Sequence, residues 1–251
     1  TSENGRSTMK YLSIITNFGC HWQCPYCIVK NNYIDVPATT LSSLDMLKDA
    51  AKFEKAEAIS VSGGGDPLFE YENHKKYYYR LFRICREMKL PLEMHTSIIE
   101  SEFPYERGYR VVYHLHDFDQ LAKIVRHRNE IVRVVFVVTK KFKPELIDQI
   151  ADFVENSDII DELSFRQMVD KNYAIRHYCH DYLTEGHQKR WWYILQDDYN
   201  SYFVNGDIHS RGGADVLHHK TGVLGGGIDG LALKVGNTVN GITVLVLHPE
   251  V

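Results

Sequence analysis

The chain reads as an α/β protein built on a parallel sheet, and three observations predict this. Apolar runs of strand length alternate with stretches of helical periodicity over the first two-thirds of its 251 residues. Its two richest motifs, one of cysteines and one of glycines, each follow a strand directly, as functional loops do at the carboxyl ends of parallel strands. The composition, 44% apolar and 25% charged, is that of an ordinary globular chain able to bury a substantial core.

The first strand spans Tyr11–Asn17 and runs into the cysteine loop. Ser42-Ser43-Leu44-Asp45 has the form of a capping box, with Leu44, Leu47 and Ala51 following at helical spacing. Ala58–Ser62 is the second strand and ends in Gly63-Gly64-Gly65-Asp66-Pro67. Tyr78, Leu81, Phe82, Cys85 and Met88 then share one helical face. Further strands are expected at Pro91–Thr96, Arg110–Leu115, Ile131–Thr139 and Glu162–Met168. Helices are expected over Phe118–Arg128 and from Pro144, where proline suits a first turn. Leu146, Ile147, Ile150, Phe153 and Val154 give that second helix its buried stripe. Ser97–Tyr109, which holds Pro104 and Gly108, lacks a helical pattern. Six strands separated mainly by helices imply right-handed crossovers and one parallel sheet.

The rest of the chain differs. Residues 1–10 read as a disordered lead-in, 171–205 as a helix and hairpin that close the main unit, and 206–251 as a glycine-rich β extension. Ten of the 17 glycines lie between Gly206 and Gly241. Tyr193–Leu195 and Tyr202–Val204 are expected to pair as one hairpin, and Leu231–Val235 with Ile242–Leu247 as another.

Charge and cysteine usage narrow the class. A net charge of −4 argues against a strongly basic nucleic-acid binder, although a local basic groove stays open. No apolar run approaches the length of a membrane span, and the first residues lack a signal peptide's apolar stretch. The five cysteines are odd in number, with three inside eight positions, which fits metal binding in a reducing, cytoplasmic compartment better than a disulfide framework. Cys85 falls on an apolar helix face and reads as core, whereas Cys179 beside His177 and His180 reads as a metal group or as part of a solvated or packed histidine helix.

Cys20-His21-Trp22-Gln23-Cys24-Pro25-Tyr26-Cys27 has the spacing C-x3-C-x2-C. Three thiolates on one short loop can ligate three irons of a cubane cluster and leave one iron open, whereas electron-transfer clusters usually have four thiolates. A structural zinc site would want four ligands in paired units, and no second pair is visible.

The loop resembles the signature of the radical S-adenosylmethionine (SAM) enzymes, C-x3-C-x-aromatic-C, with Tyr26 in the aromatic place. The resemblance implies a partial (β/α)6 barrel, TIM-like, over residues 11–170. It implies a [4Fe–4S] cluster on Cys20, Cys24 and Cys27, with SAM chelating the fourth iron and Tyr26 near the adenine. Ser62–Pro67 is similar to the family's Gly-Gly-Glu-Pro loop for the methionine amino group, with Gly64 and Gly65 in place and Asp66 standing for the glutamate. Glycines there let backbone carbonyls approach an ammonium closely. Further SAM or substrate contacts are implied at strand ends: Thr96 and Ser97 beside His95, His116 beside His114, Thr139, and Arg166 beside Gln167. Alternation sends Ser164, Arg166 and Met168 to the face opposite Leu163, Phe165 and Gln167. An arginine inside a barrel needs a partner such as a carboxylate or phosphate.

The implied activity is reductive cleavage of SAM to a 5′-deoxyadenosyl radical that takes hydrogen from a substrate. The electron would come from a reductant such as flavodoxin or ferredoxin. His74–Arg80 and Lys189–Tyr193 interleave basic and aromatic residues, which suits a nucleotide or nucleobase substrate, or equally a packed amphipathic face. The absence of a second cysteine cluster argues against members with auxiliary clusters, including many peptide-maturing ones. A glycyl-radical-enzyme activase and a peptide- or small-molecule-modifying enzyme are the alternatives within the family. Outside it stand a zinc-stabilised binding module and a non-catalytic iron–sulfur electron carrier.

Overall fold

The computed structural model describes residues 11–31, 36, 38–53, 55–99, 103–104, 109–128, 130–172, 174–195, 201–204, 207–210 and 242–245. Six strands form its centre: β1 Tyr11–Thr16, β2 Ala58–Gly63, β3 Leu92–Thr96, β4 Arg110–Leu115, β5 Ile131–Val138 and β6 Glu162–Val169. Each pairs in parallel with the next in sequence order. The sheet curls into a half-barrel, the partial-barrel architecture expected for the chain.

Alternation along these strands separates two faces. One carries Leu12, Ile14, Ile59, Val61, Leu92, Met94, Val111, Tyr113, Val132, Val134, Phe136, Leu163 and Phe165, all in one buried apolar cluster. Against it pack α2 (Leu47–Phe53) through Leu47, Ala50 and Ala51 and α3 (Tyr71–Met88) through Tyr77, Tyr78, Leu81, Phe82 and Cys85. α4 (Pro144–Glu155) adds Ile147, Ile150, Ala151 and Val154. Fully burying one such side chain contributes on the order of 2 kcal/mol, so this layer carries the fold. Cys85 lies in it, as read from the sequence, with its thiol pushed up to about 12 by burial. The opposite, concave face presents Tyr11, Ser13, Ser60, Glu93, His95, Arg110, His114, Arg133, Glu162, Ser164 and Arg166.

Three expectations need correction. Ser42–Leu44 forms a single 3-10 turn with no side-chain cap. Ser43 Oγ instead donates to Thr40 O, and Ser42 Oγ meets Thr40 Oγ1 at 3.0 Å. The helix expected over Phe118–Arg128 is a 3-10 helix ending at Lys123. Beyond it the buried Glu130 carboxylate accepts the backbone N–H groups of His127 and Arg128 at 2.7 and 2.8 Å, which replaces helical bonding with a side-chain-capped loop. Tyr193–Leu195 does not pair with Tyr202–Val204. β8 (Trp192–Ile194) instead joins β6 in parallel, while β9 (Ser201–Val204) pairs antiparallel with β10 (Asp207–Ser210) across two intervening residues. The Asn-Gly sequence of those two residues favours a tight hairpin. β11 (Ile242–Leu245) extends the main sheet, parallel to Tyr11–Ile14 of β1. Its expected partner Leu231–Val235 lies outside the described residues.

The remaining pieces cap the sheet. β7 (Ile175–Arg176) pairs antiparallel with the end of β6, and α5 is His180–Glu185. Among the described residues of Ser97–Tyr109 there is no helix, as expected. No helix among the described residues is long and apolar enough to cross a membrane.

Candidate cofactor site

The cysteine loop leaves β1 at Asn17 and ends on α1 (Ile28–Asn31). It is held from inside by Cys27 N–H donating to Cys24 O at 3.0 Å and Asn31 N–H to Cys27 O at 3.0 Å. Asn31 Nδ2 reaches Pro25 O at 2.8 Å, and Lys30 Nζ donates to Trp22 O. All five cysteines are free thiols. Among the described residues no three His, Cys, Asp or Glu side chains converge as ligands of a single metal ion. Burial first, then the neighbouring Cys27 and Cys20, push the Cys24 thiol up to about 11.

The glycine loop after β2 is zipped onto the start of the cysteine loop. Gly64 N–H donates to Thr16 O at 2.8 Å, and Asp66 N–H to Gly19 O at 2.9 Å. A Cβ at Gly65 would stand 2.0 Å from Gly19 O, so only glycine permits this approach. Gly19 itself sits at φ +102°, a backbone region that favours glycine. The chain thus spends glycines on both sides of one backbone contact immediately before Cys20.

Asp66 is buried, and its carboxylate is fully engaged within the protein. Oδ1 accepts from Thr96 Oγ1 at 2.7 Å and from Leu68 N–H at 3.0 Å; Oδ2 accepts from Ser97 N–H at 2.7 Å and Ser97 Oγ at 2.6 Å. Asp66, Thr96 and Ser97 therefore form one clamp between the β2 and β3 ends. Ser97 Oγ also lies 3.5 Å from His21 Nε2 of the cysteine loop.

From the fourth strand end, His116 reaches the same loop. Its Nδ1 lies 2.8 Å from Tyr26 Oη, its Nε2 3.8 Å from Cys24 Sγ, and its ring centroid 4.2 Å from that of Trp22. Gln120 Oε1 accepts the His116 and Asp117 N–H groups at 2.6 and 3.0 Å, fixing the backbone there. Burial lowers the His116 pKa, and burial raises that of Tyr26, so both are neutral near pH 7.

The structure therefore gathers Cys20, Cys24, Cys27, Tyr26, Gly64, Gly65, Asp66, Thr96, Ser97 and His116 at one end of the sheet. Thr139 directly follows β5 and closes a turn, with Lys141 N–H 3.4 Å from its Oγ1. Arg166 lies on the concave face, where its charge reaches His114. His177 pairs with Gln167 Nε2 at 2.9 Å, and His180 Nδ1 with Tyr193 Oη at 3.2 Å. Cys179 Sγ donates to Phe142 O at 3.4 Å, so all three side chains bond to protein partners, with His180 alone of them on α5.

Sequence reading missed the charged groups of the concave face. Arg110 bonds Tyr11 Oη, Glu93 and Glu162 at 2.7, 3.1 and 3.2 Å, and Arg133 bonds Glu162 at 2.6 Å. Their signal was polar residues at period two inside apolar strands. The two basic–aromatic tracts, by contrast, are structural. Tyr77, Tyr78, Trp191 and Tyr193 are buried, Arg80 pairs with Asp45, and Arg190 pairs with Asp148, Asp152 and Glu155. Only Tyr79 and Trp192 keep large exposed rings there.

No family model matches the chain, and no curated protein sequence matches it. Among solved structures it is similar to Streptococcus suis SuiB bound to the precursor peptide SuiA, with TM-score 0.51 and 19% identity over 76% of this chain and 49% of that one. It is equally similar to SuiB bound to S-adenosylmethionine, again with TM-score 0.51 and 19% identity, over 76% of this chain and 51% of that one. At this identity the likeness is one of fold, and the chain spans about half the length of these structures.

Proposed function

We propose that the chain is a radical SAM enzyme whose cluster is held by Cys20, Cys24 and Cys27. The observation that carries this reading is the zipper between Gly19 and the Gly65–Asp66 backbone, which docks the glycine loop beside the cysteine loop. The donor set fits the group: three free thiols on one loop, with Cys20 and Cys27 both acting on Cys24. The Cys24 thiol, pushed up by burial and its two neighbours, gains from a cationic iron group that takes it as a thiolate. When bound, a [4Fe–4S] cluster supplies the electron that cleaves SAM, and a reduced flavodoxin or ferredoxin is the proposed donor.

The protein's own part is placement. Gly64 and Gly65 present backbone to the methionine end of SAM, while Asp66 acts indirectly by fixing Thr96 and Ser97. Tyr26, oriented by His116, lines the adenine side. Residues 11–170 form the cofactor-binding unit, and 171–205 and 206–251 flank it in a reducing, cytoplasmic setting.

A peptide substrate is the better-supported choice. The aromatic and basic residues that argued for a nucleotide are mostly buried or ion-paired, and SuiB, which shares the fold, was solved with a precursor peptide. The test is metal analysis after anaerobic reconstitution with iron and sulfide. Iron and sulfide in equal amounts, lost in Cys24→Ala, are expected; zinc as the bound metal would reject the reading.

A further inference from the structure

We propose that His116 donates its Nε2–H to the Cys24 thiolate and thereby raises the reduction potential of the cluster held there. It acts as a positioning residue of the cysteine loop and not as an iron ligand. The inference deepens the radical SAM reading and rests on its cluster.

His116 directly follows β4, and its ring is held from several directions. Gln120 Oε1 fixes the backbone by accepting its N–H at 2.6 Å. The Trp22 ring packs on the imidazole at 4.2 Å between centroids, and Tyr26 Oη stands 2.8 Å from Nδ1. With the ring so held, Nε2 faces the partly buried Cys24 Sγ at 3.8 Å. Cys27 Sγ receives a backbone donor, Lys30 N–H at 3.4 Å, whereas Cys24 is approached by a side chain. The Trp22 indole N–H beside this ring is buried and has no hydrogen-bond partner among the described residues. A second donor at the loop thus lacks a protein acceptor, which fits a bound group that supplies acceptors of its own.

The direction of the His116 bond follows from the state of the sulfur. A thiol could donate to a bare Nε2, but a metal-bound thiolate only accepts. The contact then requires hydrogen on Nε2. Tyr26 Oη permits this in either state of the ring, because a phenol can donate to a bare Nδ1 or accept from Nδ1–H. The assignment therefore does not depend on the charge of His116. Hydrogen bonds to ligating sulfur are among the levers that set the potential of an iron–sulfur centre. One electron from reduced flavodoxin or ferredoxin adds negative charge at the sulfur and strengthens the N–H bond, with no covalent bond made or broken. The reduced state gains more than the oxidised state, and the potential rises.

The test is a potentiometric titration, followed by electron paramagnetic resonance, of the full chain reconstituted with iron and sulfide and kept free of SAM. His116→Phe keeps an aromatic ring against Trp22 and removes the donor, whereas His116→Gln keeps an N–H at the place of Nε2. At equal iron and sulfide content, His116→Phe should be harder to reduce than wild type by on the order of tenfold, about 59 mV for one electron. His116→Gln should stay closer to wild type. Equal potentials in wild type and His116→Phe, or a His116→Gln potential as low as that of His116→Phe, would overturn the proposal. A purely structural role for the ring would move cluster content and not potential. Should His116→Phe fail to hold a cluster, pulsed resonance on reduced His21→Asn protein labelled with nitrogen-15 histidine decides. A weakly coupled histidine nitrogen is expected there; none, or the strong coupling of a direct ligand, overturns the proposal. Zinc in the wild-type site rejects the cluster and the proposal together. Equal potentials in fully loaded proteins reject the proposal alone, and a potential shift without SAM cleavage rejects the enzyme reading alone.

Discussion

Tyr26 Oη and His116 Nδ1 stand 2.8 Å apart although ninety positions separate them in sequence. The same imidazole turns its other nitrogen toward Cys24 Sγ at 3.8 Å. One hydrogen bond thus sets the ring that covers a thiol of the cysteine loop. Tyr26→Phe keeps the ring and removes the bond, so it should cost about 1 kcal/mol. The urea midpoint, compared with wild type at unchanged slope, measures this; an unchanged midpoint would show that the bond does not hold the loop.

Gly65→Ala should be far more damaging than Gly64→Ala. The added methyl at position 65 meets the Gly19 carbonyl at 2.0 Å, and backbone cannot step aside without opening the zipper. At position 64 it meets the Val36 side chain at 2.8 Å, where a neighbour can repack. Costs of about 3 and about 1 kcal/mol are expected. SAM affinity, measured by calorimetry on the reconstituted proteins, should fall with the first and persist with the second.

Asp66→Asn replaces an acceptor oxygen with a donor nitrogen against Ser97 or Thr96. Each side of the carboxylate already receives two donors, so either amide orientation leaves a buried clash. A loss of roughly 2 kcal/mol is expected. Thermal melting of the variant checks it, and a melting temperature equal to wild type would show that the clamp is dispensable.

Acid stability should carry the signature of Glu93. Its folded pKa, about 2, lies below the ordinary value of 4.5 because His95, Arg133 and Arg110 outweigh the opposing effect of burial. A carboxyl depressed on folding stabilises fully above its unfolded pKa and loses that contribution as pH falls through the folded value. The loss should therefore run from about pH 4.5 down to 2 and amount to on the order of 3 kcal/mol. Urea titrations across that window should show this slope in wild type and a shallower one in Glu93→Gln.

Much of the sheet was legible because period-two alternation is local: Leu12 and Ile14, or Leu163 and Phe165, announce their buried face without knowledge of neighbours. The cysteine loop was legible for the same reason. What escaped was long-range. Glu93, Arg110, Arg133 and Glu162 each look like solvent-facing positions until curling of the sheet brings them within 3.2 Å of one another. Asp66 resembled a ligand residue by position, yet its four hydrogen bonds to Leu68, Thr96 and Ser97 depend on where β3 ends. The over-long helix after Phe118 failed because periodicity cannot register a buried Glu130 capturing backbone N–H groups. The wrong partner for Tyr202–Val204 came from overlooking Asn205-Gly206, a local signal that was present.

The most direct measurement is formation of 5′-deoxyadenosine by the anaerobically reconstituted chain given SAM and dithionite. Wild type should release it, and Cys24→Ala, which deletes one of the three thiols while keeping His116 and the glycine loop, should not. Equal amounts from both, or none from a wild-type protein that carries iron and sulfide, would contradict the assignment.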